Sequence, residues 1–466
     1  MKRRNFLITT LAGVFSGKIF AQTNNNNNNN NNTATTNIET NPILNIYATQ
    51  NSATKKNSKN NPLRGTSADP RHLPPISAPN VPTVWNTYDA NFEIKTNKKV
   101  SNIWIPLPMI QTIQSSLYQK LLTIEIAGNF KKQRIFNQYK NNYHILNAVY
   151  YENNKNNKNN NKDADDNYDS NAEKTANLSL NFTIQTADRH TDFSKRNVAP
   201  ERVDILKYYL ENSALIPNDT TAKNLATKIV NRIKDPIAKA RAIFDWIVEN
   251  STYEMENSAE NNTINERGNV RKQLENQSIN NYHFRGRSAD LNGLFVSLCR
   301  SIGIPARSVC GQRIAKSKLL PCLGIQDDVK TDLQHTRAEF YSPGCGWIPI
   351  DVSDVKRAEY FKTSELELKM LQTLLFGFWE MNWFAFGFGN EVMLNNTNHK
   401  IAFFDKVIGE QIKNNTNNTN NNLNNNLNNN SQLLNFDNNE ININTTQQYN
   451  NSNNNNNNNN NILLFN

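Results

Sequence analysis

Residues 286–307 read Gly286-Arg-Ser-Ala-Asp-Leu-Asn-Gly-Leu-Phe-Val-Ser-Leu-Cys-Arg-Ser-Ile-Gly-Ile-Pro-Ala-Arg307, and residues 334–351 read Gln334-His-Thr-Arg-Ala-Glu-Phe-Tyr-Ser-Pro-Gly-Cys-Gly-Trp-Ile-Pro-Ile-Asp351. The first block predicts a helix from about Ala289 to Ser301. Leu291, Leu294, Phe295, Leu298 and Ile302 recur at helical spacing, and Gly303 supplies a stop. Ser288 stands just before the periodic run, where serine is a preferred N-cap. The second block predicts a hairpin: an extended run from His335 to Tyr341, a turn signal at Ser342-Pro343-Gly344, and a second extended run from Gly346 to Asp351. A turn centred on Pro343 sets His335 opposite Asp351, with Cβ atoms ~4.5–5.5 Å apart. A carboxylate beside an imidazole fixes its tautomer and supports its charged form, which is two thirds of a nucleophile triad. A surface hairpin pair is the plain alternative. Pro349 has no N–H, so the second strand is expected at an edge or locally unpaired.

Upstream of this core, Ala222–Ile233 and Pro236–Asn250 show helical spacing. Ala240, Ile243, Phe244, Ile247 and Val248 line one face of the second, and Pro236 sits where a helix tolerates proline best. Residues 83–193 instead carry short runs of period two, such as Tyr88-Asp-Ala-Asn-Phe-Glu-Ile and Leu178-Ser-Leu-Asn-Phe-Thr-Ile, which predict a β-sandwich. An asparagine-rich insert at 153–177 falls between two such runs and reads as an elongated hairpin loop. Downstream, Leu374–Gly389 is rich in aromatic residues but too short to span a bilayer, and it contains Glu380 and Asn382. Core packing is its default reading, and an aromatic groove wall is the alternative.

The hydrophobic fraction, 37%, falls below the usual range, and asparagine tracts cause much of the deficit. Such tracts bury nothing and are expected to be disordered, including a tail at 409–466. Residues 22–82 are polar and then proline-rich, as a linker would be. Residues 1–21 begin Lys2-Arg3-Arg4-Asn5-Phe6-Leu7 and continue with a short apolar run, which reads as a twin-arginine export signal and a periplasmic or otherwise exported protein. The net charge of +10 is spread out, with no basic stripe and interleaved aromatics, so no nucleic-acid partner is expected. Cys299, Cys310, Cys322 and Cys345 lack CxxC spacing, and no metal or cofactor is expected. Cys299 reads as an apolar filler within its helix. An oxidising compartment would allow a disulfide among the other three, with the pairing open.

Four motifs together resemble the bacterial transglutaminase-like superfamily, relatives of papain-type thiol enzymes. They are Gly286–Asp290, Gly303–Arg307, His335–Phe340 and Gly346–Asp351, and the similarity extends over roughly 83–405, including Asp245-Trp246 and Trp379-Glu-Met-Asn-Trp383. The resemblance implies an α+β fold: a papain-like transglutaminase core at 200–408, with a helix bundle packed on an antiparallel sheet, after a β-sandwich domain. It implies that a nucleophile at a helix N-terminus attacks an amide carbonyl, that His335 acts as base and that Asp351 orients it. Water or an amine would then resolve the acyl-enzyme. Peptide or protein substrates follow, cell-wall peptides among them.

One position departs from the family. Where its pattern has the nucleophilic cysteine, this chain has Ser288. A helix N-terminus and an imidazolium bring a thiol's pKa into the physiological range, whereas a serine hydroxyl must lose its proton during attack. Cys299, Cys310 and Cys345 are not placed to substitute. Two function classes follow: an exported amide hydrolase or acyltransferase using Ser288, His335 and Asp351, and a catalytically inactive relative that binds peptides or a partner. His335, Asp351 and Arg307 favour the first, and Ser288 favours the second.

Overall fold

Alternating burial makes the first strands. The computed structural model describes residues between 82 and 448, apart from 111–117, 151–174, 256–267, 278–281, 327–332, 413–430, 436–440 and a few shorter gaps. Strands β1 (Asn86–Thr96), β2 (Val100–Pro106), β3 (Gln119–Gly128), β4 (Lys132–Gln138), β5 (Tyr143–Val149), β6 (Ala176–Thr186) and β7 (Arg189–His190) follow one another. Tyr88, Ala90, Phe92 and Ile94 of β1 point inward with Leu178, Leu180, Phe182 and Ile184 of β6, as a period of two requires. The Phe92 and Phe182 rings lie 5.6 Å apart.

Helices then take over. They are α1 (Val203–Tyr208), α2 (Thr220–Val230), α3 (Pro236–Glu249), α4 (Val270–Glu275), α5 (Ser288–Ser301), α6 (Val352–Tyr360) and α7 (Glu365–Leu374). Between them run β8 (Ser251–Tyr253), β9 (Phe284–Gly286), β10 (Ala306–Arg313), a 3-10 turn (Pro321–Leu323), β11 (Gln334–Ser342) and β12 (Gly346–Ile350), and after them β13 (Phe378–Trp379) and β14 (Trp383–Phe388). β12, β11, β10 and β14 form an antiparallel sheet in that order. β12 is its edge, which is where Pro349 can sit without breaking a ladder. Successive residues of β11 face opposite sides. Phe340 packs on Phe295 of α5 at 6.0 Å, while His335, Arg337 and Glu339 alternate with it. Trp347, Trp379 and Trp383, with Tyr209, Tyr341 and Phe388, build a second apolar cluster, so the aromatic segment is core.

The chain closes with β15 (Val392–Met393), β16 (Lys400–Ile401), β17 (Ile408–Ile412), β18 (Ser431–Asn435) and β19 (Ile441–Gln448). Within the tail expected to be disordered over 409–466, the described residues are those of β17, β18 and β19, and the remainder lies outside the described residues. β19 joins a sheet of order β19-β1-β6-β3, and β17 and β18 join one of order β18-β17-β2-β5-β4. Glu410 fixes β17 to β2 by accepting hydrogen bonds from Ser101 Oγ and Asn102 Nδ2, both at 2.7 Å. Composition hid these strands because asparagine contributes its backbone to a ladder whatever its side chain prefers. The sandwich therefore draws strands from both ends of the chain. The asparagine-rich insert, expected as a hairpin loop, links β5 and β6, which lie in different sheets, so the connection crosses between sheets. Ala176 and Asn177 already belong to β6, and the rest of the insert lies outside the described residues. The export signal and nearly all of the linker also lie outside them.

Candidate active site

Asp290 organises the start of α5. Its Oδ2 accepts from Arg287 N at 3.0 Å, and its Oδ1 accepts from Gly268 N at 3.0 Å and Gln273 Nε2 at 3.1 Å. This carboxylate in the first turn also complements the helix dipole. Gly286 is required beside it, because a Cβ there would lie 2.5 Å from Asp290 Cβ. The N-cap is Arg287, and Ser288 is the first helical residue. The expected serine cap is thus corrected by one position. Ser288 Oγ instead turns to β11 and accepts from Thr336 N at 3.2 Å, with the residue 3% exposed.

His335 and Asp351 meet as expected, but by a different route. The turn is centred on Gly344, not Pro343: Ser342 pairs with Gly346, and Ala338 with Ile350. Cys345 N donates to Ser342 O at 3.1 Å, and Gly344 has φ +79, as the second central residue of a Pro-Gly type II turn must. In this register β12 ends at Ile350, and Asp351 is the N-cap of α6, accepting from Asp354 N at 3.1 Å. His335 is paired in the sheet with Gly311 of β10. A Cβ on Gly311 would lie 2.2 Å from the Trp383 ring, so this glycine admits the indole, whose Nε1 donates to His335 O at 2.8 Å. The His335 side chain then reaches Asp351, with Nε2 to Oδ2 at 2.7 Å.

Asn292, one helical turn beyond Ser288, locks this arrangement. Its Nδ2 donates to Asp351 Oδ1 at 3.0 Å, to Ser353 Oγ at 3.1 Å and to Thr336 O at 2.8 Å, and its Oδ1 accepts from Val352 N at 3.0 Å. Ser353 Oγ also donates to Asp351 Oδ1 at 2.8 Å. Arg313, the last residue of β10, donates Nη2 to Asp354 Oδ1 at 2.6 Å and places the same nitrogen 3.3 Å from His335 Nδ1. Its Nη1 donates to Leu323 O. Arg337 Nε lies 3.3 Å from Asp351 Oδ2. Burial pushes the His335 pKa well below its ordinary value, and Arg313 pushes it the same way against Asp354. With the Arg313 guanidinium, which can only donate, facing Nδ1, the ring is placed to accept there and to donate from Nε2 to Asp351. Among the described residues, no hydrogen bond joins Ser288 Oγ to His335.

His335, Asp351 and Asp354 offer ligand atoms within 4.8 Å of one another. Arg313 and Arg337 already supply positive charge to those carboxylates, which leaves little reason for a cation there. The four cysteines are buried, and no disulfide joins them. Burial pushes the Cys299 thiol well up, and that of Cys322 up to about 11, so neither is an activated thiol. Arg307 lies away from His335: its Nε donates to Glu339 Oε2 at 2.6 Å, between the rings of Trp347 and Phe388.

Sequence reasoning missed Asn292, Arg313 and Asp354. Asn292 had a signal, being four residues from Ser288 on one helix face. Asp354, three residues after Asp351, fits the start of a helix. Arg313 had none, because its partners come from β11, α6 and the 3-10 turn.

Residues 223–352 match the family model for the transglutaminase-like superfamily core. An uncharacterised protein of Haemophilus influenzae is 29% identical over 311 residues, covering 63% of this chain and 75% of that one. Among solved structures, a putative cysteine protease from Cytophaga hutchinsonii covers 78% of this chain and 91% of its own, at 14% identity and a TM-score of 0.43. The periplasmic domain of TgpA from Pseudomonas aeruginosa covers 59% of this chain and 93% of its own, at 12% identity and a TM-score of 0.28.

Proposed function

We infer that this chain, whose residues 223–352 match the transglutaminase-like superfamily model, acts on amide groups of peptide or protein substrates from an exported location, by hydrolysis or acyl transfer. The observation that carries this is the His335–Asp351 hydrogen bond of 2.7 Å, with Ser288 at the head of α5 accepting from the backbone N of the next residue, Thr336. In the proposed reaction Ser288 Oγ attacks the substrate carbonyl and its proton passes to His335 Nδ1. Asp351, on Nε2, stabilises the imidazolium. The N–H groups of the first turn of α5, which have no partner within the helix, can hold the oxyanion. The same proton then leaves with the amine, and water or a second amine releases the acyl group.

A second reading has its own observation. Ser288 Oγ is bonded to Thr336 N, and His335 Nδ1 faces Arg313. A core fixed in that arrangement binds a peptide or a partner without turnover. One experiment separates the two. Peptide hydrolysis and incorporation of a labelled amine into a protein substrate are measured for the wild type and for Ser288→Ala. The enzyme reading expects turnover in the wild type and its loss in a folded Ser288→Ala protein. Equal rates in both would remove Ser288 as nucleophile, and peptide binding by both with no turnover would establish the second reading.

A further inference from the structure

His335 has two ring nitrogens, and both are engaged. Nε2 lies 2.7 Å from Asp351 Oδ2, and Nδ1 lies 3.3 Å from Arg313 Nη2. A guanidinium can only donate, so Nδ1 must be the acceptor and the ring proton must sit on Nε2. Arg313 is not a loose surface group. It is 2% exposed, paired with Asp354 at 2.6 Å, bonded to Leu323 O, and carried at the end of a strand flanked by β11 and β14. Around the ring lie Arg313 from β10, Arg337 from β11, and Asp351, Asp354 and Arg357 from the start and body of α6. Among these, Arg313 alone meets Nδ1.

We propose that Arg313 is a positioning residue: it holds His335 in the Nε2–H tautomer through Asp354 and occupies the nitrogen that would take a proton from Ser288. In this arrangement the His–Asp pair is assembled while its basic lone pair is committed to a cation. Proton transfer from Ser288 then requires Arg313 to withdraw from Nδ1, and the Asp354 pair sets how hard that is. The Arg313–Asp354 pair is thus a lock on the candidate site. Its meaning for turnover rests on the reading of His335 as the base in the preceding section, but its effect on the imidazole does not.

The test reads the imidazole directly. The chain has six histidines, and ¹⁵N-histidine NMR with His335→Gln to identify the signal isolates His335. In the wild type its signal is expected as the Nε2–H tautomer, without titration between about pH 5 and 8. In Arg313→Met the Nδ1 lone pair is released, and His335 is expected to titrate within that window. Arg313→Lys keeps the charge but lacks the fork that spans Asp354 and Nδ1 together, so an intermediate response is expected. If Arg313→Met fails to fold, Arg313→Lys carries the test alone. A His335 signal unchanged in tautomer and titration, in a folded variant, overturns the proposal. A second arm uses Ser288→Cys and measures alkylation by iodoacetamide near pH 6. Adding Arg313→Met is expected to speed it by tenfold or more. A shifted His335 signal with no faster alkylation would keep the lock and reject His335 as the base of the nucleophile.

Discussion

Two buried ionic clusters share strand β11, and they differ in what they leave to be decided. Glu339 meets Arg189 Nη1 and Arg307 Nε, and every partner is a permanent cation. Burial raises its pKa, and the two guanidiniums outweigh that and hold it below the usual range. The cluster has one arrangement, closed off by Trp347 and Phe388 over Arg307. Four residues earlier, His335 stands among Asp351, Asp354, Arg313 and Arg337, with one nitrogen on a carboxylate and the other on a guanidinium. Similar materials on the same strand give a fixed anchor in one place and, in the other, a group whose proton could be moved. An ionisable network becomes a candidate for chemistry when burial and charged neighbours strongly perturb one of its groups, as they do His335.

The comparison is broken most forcefully by Glu339→Ala. It would leave Arg189 and Arg307, 3% and 4% exposed, as buried charges without a counterion. A loss of about 3–5 kcal/mol in urea unfolding, or failure to fold, is expected. A loss under about 1 kcal/mol would show that the cluster is hydrated and is no anchor.

Asn292→Ala tests the other cluster's scaffold. It removes the amide that bonds Asp351, Thr336 O and Ser353, and leaves Val352 N without its acceptor. A loss of about 2–3 kcal/mol is expected, with a changed His335 NMR signal that Glu339→Ala should not produce. Wild-type stability in Asn292→Ala would mean that His335, Ser353, Arg337 and the N-cap bond hold Asp351 without Asn292.

The two clusters also differ in how far the sequence disclosed them. His335 and Asp351 were legible because a hairpin is a local structure, and a turn signal between two extended runs brings its ends together. The register was off because Pro343-Gly344 was read as a turn centred on proline, whereas the three residues between Ser342 and Gly346 centre it on glycine. The pair survives that error because Asp351 leaves the strand to cap α6, and its reach comes from the cap. Arg313 was invisible because it joins β10, β11, α6 and a 3-10 turn, and no single period in the sequence links those elements. The terminal strands β18 and β19 were hidden for a related reason: their pairing is carried by backbone against β17 and β1, with the apolar signal diluted by asparagine.

Acid separates the clusters by a smaller effect. Folded His335 resists protonation, whereas in the unfolded chain its pKa is near 6.5. Below that value the unfolded state binds a proton that the folded state refuses, so stability is present above about pH 6.5 and declines as the pH falls. His335 alone contributes a slope of up to about 1.4 kcal/mol per pH unit. His144 and His190 are also lowered by burial and add slopes of the same sign, so the informative quantity is the difference between the wild type and His335→Gln. Glu339 is shifted below a carboxyl's usual value, and its contribution is lost only as the pH falls below about 4.5. Urea unfolding between pH 7 and 5 should therefore show a shallower acid loss in His335→Gln than in the wild type, and an unchanged one in any folded variant confined to the Glu339 cluster. Parallel curves for the wild type and His335→Gln would mean that folded His335 takes up its proton as readily as the unfolded chain, and the contrast between the two clusters would fail on its chemical side.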